Sequence, residues 1–319
     1  MHFDVFNGDA DGILALHQLR LHDPKPEATL ITGVKRDIKL LNKIINTQNS
    51  SISVFDISLD SNRDALLTLL ESNNTILYID HHFAGDIPDS PRLTTHLDPG
   101  STVCTSLIVD KILTGKYRNW AVAGAFGDNL HESAAKAATA LSLSSDKISQ
   151  LRELGELLNY NGYGLEISDL HFAPDDLYKA LHPYEDPFSF LADSPDLATL
   201  RQGFKEDMAL AMEQQETDPG KRNRVYTFPN APWARRVSGV FSNLRAREKK
   251  DAAHALIVEN DDSSLRISVR APLNNRKNAD TLCLAFPTGG GRTAAAGINQ
   301  LPAEMLDDFL KRFQITYST

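Results

Sequence analysis

Residues 7–20 read NGDADGILALHQLR and place side-chain oxygens at Asn7, Asp9 and Asp11, two residues apart, ahead of Gly12. In front of them, His2–Phe3–Asp4–Val5–Phe6 alternates like a half-buried strand. Behind them, Ile13, Leu16, Leu19 and Arg20 follow helical spacing. The stretch is a strand, an acidic turn and a helix. Oxygens at every second residue before a glycine also fit the first half of an EF-hand calcium loop, with Asn7 at position one and Gly12 at position six. Position twelve is then Gln18, which lacks the bidentate carboxylate, and the segment before Asn7 is too short for an entering helix. A plain helix N-cap explains Asp9 or Asp11 but not both.

The same pattern of an apolar run ending in an acid recurs downstream. Strands are expected at ATLITGV (28–34), SISVFD (51–56, ending in Asp56) and TILYID (75–80, continuing into Asp80–His81–His82). IKLLNKIIN and RDALLTLLE between them read as amphipathic helices. Strands alternating with helices predict a parallel α/β layer, and ligands of such sheets bind at the carboxyl ends of the strands. Asp9, Asp11, Asp56, Asp80, His81 and His82 all fall at that end. Residues 120–141 read as helical and carry Asp128 in the apolar context AGAFGD, where a lone carboxylate must be capped, paired or bound. Further helices are expected over 145–159, 174–182 and 196–216. ETDPGKRN (216–223) reads as a linker, RVYTFP, HALIVEN and LRISVRA as strands, and TGGGRTAAAG (288–297) as a glycine-rich loop.

A chain of 319 residues exceeds one ordinary core, so two domains are expected. No apolar run is long enough to span a membrane, and no basic segment followed by a long apolar run opens the chain. Cys104 and Cys283 are too few and too far apart for a disulfide framework or a CxxC zinc site, so a reducing, cytoplasmic setting is expected. The net charge of −9 is divided unevenly: residues 1–220 hold 17 Lys and Arg against 33 Asp and Glu, net −16, and residues 221–319 hold 16 against 9, net +7. An acidic part suits cations and a basic part suits phosphates, although charge for solubility alone would read the same way. Carboxylates with an imidazole suit hard or borderline divalent ions such as Mn²⁺, and two such ions roughly 3.5–4 Å apart need a bridging carboxylate.

NGDADG, VFD, the tripeptide Asp80–His81–His82 and AFGD resemble, in order, the four motifs of the DHH phosphoesterase superfamily. ISVRA followed by GGGRTAAAG resembles the associated DHHA1 domain. The resemblance runs from residue 4 to about residue 300 and implies two α/β domains with an active-site cleft between them. It implies a DHH catalytic domain over 1–185, a helical linker over 186–222 and a smaller DHHA1 substrate-binding domain over 223–319. It also implies two metal ions, usually Mn²⁺, with Mg²⁺ or Co²⁺ as substitutes. Asp9 would serve the first ion, Asp11, His81 and Asp128 the second, and Asp56 would bridge them. Asp80 would support the site, and His82 would face the phosphate or the attacking water.

In the second domain, Gly289, Gly290 and Gly291 let backbone approach an anion, and Arg270 and Arg292 add charge-assisted bonds to phosphate. A tight glycine turn packing a strand against the end of the chain would use the same residues. The chain departs from the family at three positions. Val5 stands where many members carry a histidine ligand, Asn7 where exonuclease-type members carry an aspartate, and Arg292 where the glycine loop usually carries a histidine. His2, His17 and His131 read as ordinary histidines.

The resemblance implies a manganese-dependent phosphodiesterase for short single-stranded oligonucleotides or dinucleotides, like the nano-RNases. Long-strand exonucleases carry further nucleic-acid-binding domains, and a net −9 does not suit a long polyanion. No long-DNA or membrane partner is expected, and a homodimer is the assembly left open. A phosphatase for 3′-phosphoadenosine 5′-phosphate, a cyclic-dinucleotide phosphodiesterase and a polyphosphatase are alternatives within the enzyme class. The glycine-rich loop argues against a pyrophosphatase, which uses a different C-terminal domain. Outside the enzyme class, Val5, Asn7 and Arg292 are compatible with a nucleotide-binding regulatory module whose metal site is weakened.

Overall fold

A computed structural model describes residues 1–220 and 223–317. Chain contacts divide it into two compact units, Met1–Gly203 and Phe204–Thr319. The first unit is built on a five-stranded parallel sheet of β1 (His2–Phe6), β2 (Thr29–Ile31), β3 (Ser51–Phe55), β4 (Thr75–Asp80) and β5 (Leu93–Leu97), in the order β2-β1-β3-β4-β5. The direction of strand addition reverses between β1 and β3, which makes their carboxyl ends the switch point where such sheets take ligands.

The helices are α1 (Ala10–His22), α2 (Arg63–Glu71), α3 (Thr105–Ile112), α4 (Arg118–Gly127), α5 (His131–Thr139), α6 (Ser145–Gly162), α7 (Pro174–Leu181), α8 (Pro187–Asp193) and α9 (Pro195–Glu213), the last running across the boundary between the units. Alternation along the strands sorts the sheet's two faces. Phe3, Val5, Ile52, Val54, Ile76 and Tyr78 pack on one face with Leu40, Leu41, Ile44, Leu66, Leu69 and Leu70. On the other side α1 packs against α3, α4 and α6, and its residues Ala10–Arg20 are all buried.

Close helix crossings need the small residues of AGAFG. A Cβ on Gly155 of α6 would meet the Ala123 carbonyl oxygen of α4 at 2.0 Å. The salt bridge between Arg20 and Asp4 fixes α1 to β1: Nε donates to Oδ2 at 2.9 Å and Nη2 to Oδ1 at 2.6 Å, and both side chains are almost wholly buried. Burial pushes the Asp4 carboxyl up, but bonds from His2 and Arg20 outweigh it and hold the group below the usual carboxylate range.

The second unit has a mixed sheet of β6 (Glu216–Gly220), β7 (Asn223–Phe228), β8 (Ala253–Glu259), β9 (Leu265–Arg270), β10 (Gly289–Arg292) and β11 (Ala295–Leu301), in the order β10-β11-β9-β8-β7-β6. Among the described residues, only β7 and β8 of this sheet pair in parallel, joined by α10 (Pro232–Glu248). α11 (Ala279–Leu284) and α12 (Leu306–Thr316) complete a core of Ile267, Val269, Leu282, Phe286, Ile298, Phe309 and Phe313.

Three local expectations are corrected. IKLLNKIIN holds only a single 3₁₀ segment, Leu40–Ile44. Asn62 intercepts its backbone, donating to the Ile38 carbonyl at 2.7 Å and accepting from the Leu41 amide at 3.3 Å. ETDPG is the edge strand β6 rather than a linker, and Lys221 and Arg222 of that stretch lie outside the described residues. GGGRTAAAG is a β-hairpin rather than a loop, β10 pairing with β11 from Gly289↔Ile298 to Arg292↔Ala295. Among the described residues, no helix is long and apolar enough to cross a membrane.

Candidate functional site

The acidic turn after β1 places two carboxylates in different surroundings. Asp9 is the N-cap of α1, its Oδ1 accepting the Gly12 amide at 3.1 Å. Asp11 faces α3, its oxygens accepting the amides of Thr105 and Ser106, both at 2.7 Å. The helix-cap reading and the ligand reading thus apply to the same residues. Asp56, just past β3, has φ of +59°, a left-handed conformation that aspartate tolerates better than most side chains. Such strain collects at functional sites.

His81 follows β4. Its Nδ1–H donates to the Val103 carbonyl at 2.8 Å, which leaves the Nε2 lone pair facing the acids. From Nε2 the distances are 3.4 Å to Asp56, 3.8 Å to Asp128 and 4.0 Å to Asp11. His82 donates from Nδ1 to Asp80 at 2.7 Å and is half exposed, whereas Asp80 is buried and its Oδ2 has no hydrogen-bond partner. Burial works against the charged His82 ring, but the bond to Asp80 and its charge outweigh it and raise the pKa.

Two groups present ligand atoms within 4.8 Å of one another: Asp11, His81 and Asp128, and Asp56, His81 and His82. Burial and the neighbouring charges of Asp11, Asp9, Asp128 and Asp80 push the Asp56 carboxyl well up. Burial and Asp11 raise Asp128 to about 6. So many converging carboxylates need protons or cations among them, and oxygen donors with an imidazole fit a hard or borderline divalent ion.

The first cation found among them is one that the sequence reading passed over. Lys35, beyond β2, contacts Asp9 Oδ2 with its Nζ, donates to Asn159 at 3.0 Å and lies 3.7 Å from Asp128. Its Nζ also sits 5.5 Å from the centre of the Tyr163 ring. Burial disfavours the ammonium, but Asp9, Tyr163 and Asp128 outweigh that and raise its pKa well above the ordinary value. Asp9 is depressed in turn: burial pushes it up, and Lys35 and the Gly12 amide bring it down further. The only signal in the sequence was position, since VKRD follows a strand whose end faces the site.

The stretch Val103–Ser106 was missed as well. Beyond its contacts with Asp11 and His81, its Thr105 hydroxyl donates to Asp56 at 3.0 Å. It carries no charge and so offered no motif.

The second unit holds the other candidates. A Cβ on Gly289 would meet the Cys283 carbonyl at 1.8 Å, and Gly291 has φ of +138°, so both are required by the hairpin itself. A Cβ on Gly290 would meet nothing within 4 Å. Arg292 is exposed, and Arg270 donates from Nε to Asn243 at 2.8 Å. Strand register places Arg292, Ala295, Arg270, His254 and Arg224 in one row across the sheet. Opposed residues share a face, so three arginines line up there, with Ala295 and the buried His254 between them and Arg224 paired with Glu216 at 3.1 Å.

No protein-family model matches the chain, and no curated protein sequence matches it. Solved structures do. The exonuclease RecJ bound to manganese has a TM-score of 0.63 at 15% identity, over 99% of this chain and 90% of that one. RecJ from Thermus thermophilus in complex with Mn²⁺ has 0.60 at 15%, over 99% of this chain and 52% of that one. The pGpG-specific phosphodiesterase PggH from Vibrio cholerae has 0.60 at 14%, over 100% of this chain and 99% of that one. These are members of the DHH/DHHA1 superfamily, and the chain has their α/β, two-domain fold.

Proposed function

We propose that this protein is a divalent-metal-dependent phosphodiesterase, with Mn²⁺ the first choice and Mg²⁺ or Co²⁺ as substitutes. Its substrates on this reading are short single-stranded oligonucleotides or dinucleotides. The observation that carries the reading is the convergence of Asp11, Asp56, His81 and Asp128 at the switch point of the parallel sheet. Asp11, His81 and Asp128 would hold an ion, with Asp56 as a further carboxylate beside His81. When bound, such an ion supplies acidity to a water and positive charge to phosphoryl oxygens.

The chain's own residues do the rest. The Val103 carbonyl fixes the His81 tautomer. Asp80 holds His82 so that its Nε2 is free to donate a proton to a phosphoryl or leaving oxygen. The water oxygen bonds to phosphorus, the ester P–O bond breaks, and a proton ends on the departing hydroxyl. Arg270 and Arg292 would take phosphate groups. Full-length likeness to a pGpG-specific enzyme supports a linear dinucleotide in particular.

The test is turnover with Mn²⁺ on a panel of 5′-phosphorylated dinucleotides, longer RNA and DNA, cyclic dinucleotides, 3′-phosphoadenosine 5′-phosphate and polyphosphate. Dinucleotides should turn over fastest, and Arg292→Ala should raise KM about tenfold with little change in kcat. Hydrolysis of polyphosphate or 3′-phosphoadenosine 5′-phosphate in preference would replace the substrate class. Nucleotide binding without any turnover would leave a regulatory module.

A further inference from the structure

The charge already present at Asp9 bears on how many ions the centre takes. Both Asp9 oxygens are engaged, Oδ1 by the Gly12 amide and Oδ2 by the Lys35 ammonium. Lys35 is held from several sides. Its ammonium meets Asn159, the Tyr163 ring and Asp128, its amide donates to the Gly162 carbonyl at 2.9 Å, and its carbonyl accepts from the Asn7 side chain at 3.2 Å. The two groups whose donors can surround one ion, among the described residues, draw on Asp11, Asp56, His81, His82 and Asp128, and neither uses Asp9. Two positions beside Asp9 add no charge: Val5 lies in the hydrophobic core, and Asn7 is neutral, its amide nitrogen donating to the Lys35 carbonyl and its buried Oδ1 left without a partner. The nearest further carboxyl is that of Asp56.

We infer that the Lys35 ammonium stands in for one of the two cations expected here, so that the centre binds a single divalent ion, on the side of Asp11, His81 and Asp128. A dication on Asp9 would sit against a fixed ammonium, and like charges at that separation repel strongly in a buried setting. Lys35 is then a positioning residue. It neutralises Asp9, holds one oxygen of Asp128 at 3.7 Å and leaves one permanent positive charge beside one exchangeable ion. The inference rests on the proposed metal centre but not on its substrate.

The experiment is equilibrium dialysis of the full chain against Mn²⁺ alone, with bound metal counted by mass spectrometry and spin coupling read by electron paramagnetic resonance. Wild type should bind one ion per chain with an uncoupled spectrum. Lys35→Met should bind two and show the coupled spectrum of a close pair, and Lys35→Arg, which keeps the charge, should return to one. Two coupled ions in wild type would overturn the inference, whether or not the variants fold. A folded Lys35→Met that still binds one ion would also overturn it. No bound ion in wild type would remove this inference together with the metal centre. One bound ion without turnover on any substrate would sink only the proposed activity and leave the inference standing.

Discussion

Asp56→Asn is expected to lower turnover by roughly a thousandfold or more and to remove tight metal binding in the same step. Asp56 lies nearest to His81 Nε2, at 3.4 Å, and its carboxyl is under the combined charge of Asp11, Asp9, Asp128 and Asp80. Asparagine is a better probe than alanine here because it tolerates the φ of +59° and keeps an oxygen for the Thr105 hydroxyl. What it removes is the charge. The metal-free variant should therefore melt a few degrees above the metal-free wild type, since one of several mutually repelling carboxylates is gone. Loss of activity with higher stability separates a ligand from a structural residue. Wild-type turnover in Asp56→Asn would refute a ligand role for this carboxylate, and a large fall in melting temperature would point to folding instead.

Arg20→Met is expected to destabilise the first unit by about 3–5 kcal/mol. The substitution fills a similar volume but leaves Asp4 buried with only His2 beside it, 3.1 Å away. Arg20 also donates to the Ser53 hydroxyl at 3.0 Å, so β1, β3 and α1 all lose a partner. The sensible control is Arg20→Met combined with Asp4→Leu. Replacing a whole buried ion pair with apolar groups often restores stability, whereas breaking half of it does not. Urea unfolding of both variants gives the answer. A single-variant loss below about 1 kcal/mol would show that the pair is not what ties the acidic turn to the sheet.

Much of this architecture could be read from residues alone, and the exceptions have physical causes. β3 and β4 announced themselves because each is a largely apolar run ended by an acid, and β1 because it alternates ahead of an acidic turn. Asp128 stood out as a carboxylate among Ala, Gly and Phe. β5 did not, because LTTHL is a half-exposed edge strand with little apolar content. The 3₁₀ segment in IKLLNKIIN depends on Asn62, which is distant in sequence and invisible to a local pattern. The three glycines of the hairpin fitted an anion-binding loop as well as a turn, and only their neighbours decide that Gly289 and Gly291 are required for packing. Lys35 was the larger gap. A search for ligands asks for acids and histidines, and a competing cation carries the opposite sign.

The stretch Val103–Ser106 shapes the ligands chiefly through its main chain. Two of its amides hold Asp11, and one of its carbonyls holds His81. Side chains add to this: the Thr105 hydroxyl donates to Asp56 and the Ser106 hydroxyl to the Asp11 carbonyl oxygen, both at 3.0 Å. An alanine scan would therefore pass over Val103 almost silently at that contact, because the carbonyl that holds His81 survives the substitution. Proline at 105 or 106 would delete an amide and loosen Asp11 without altering a single acidic or histidine side chain. Part of this centre is written in peptide bonds, where the identity of the side chain has little say.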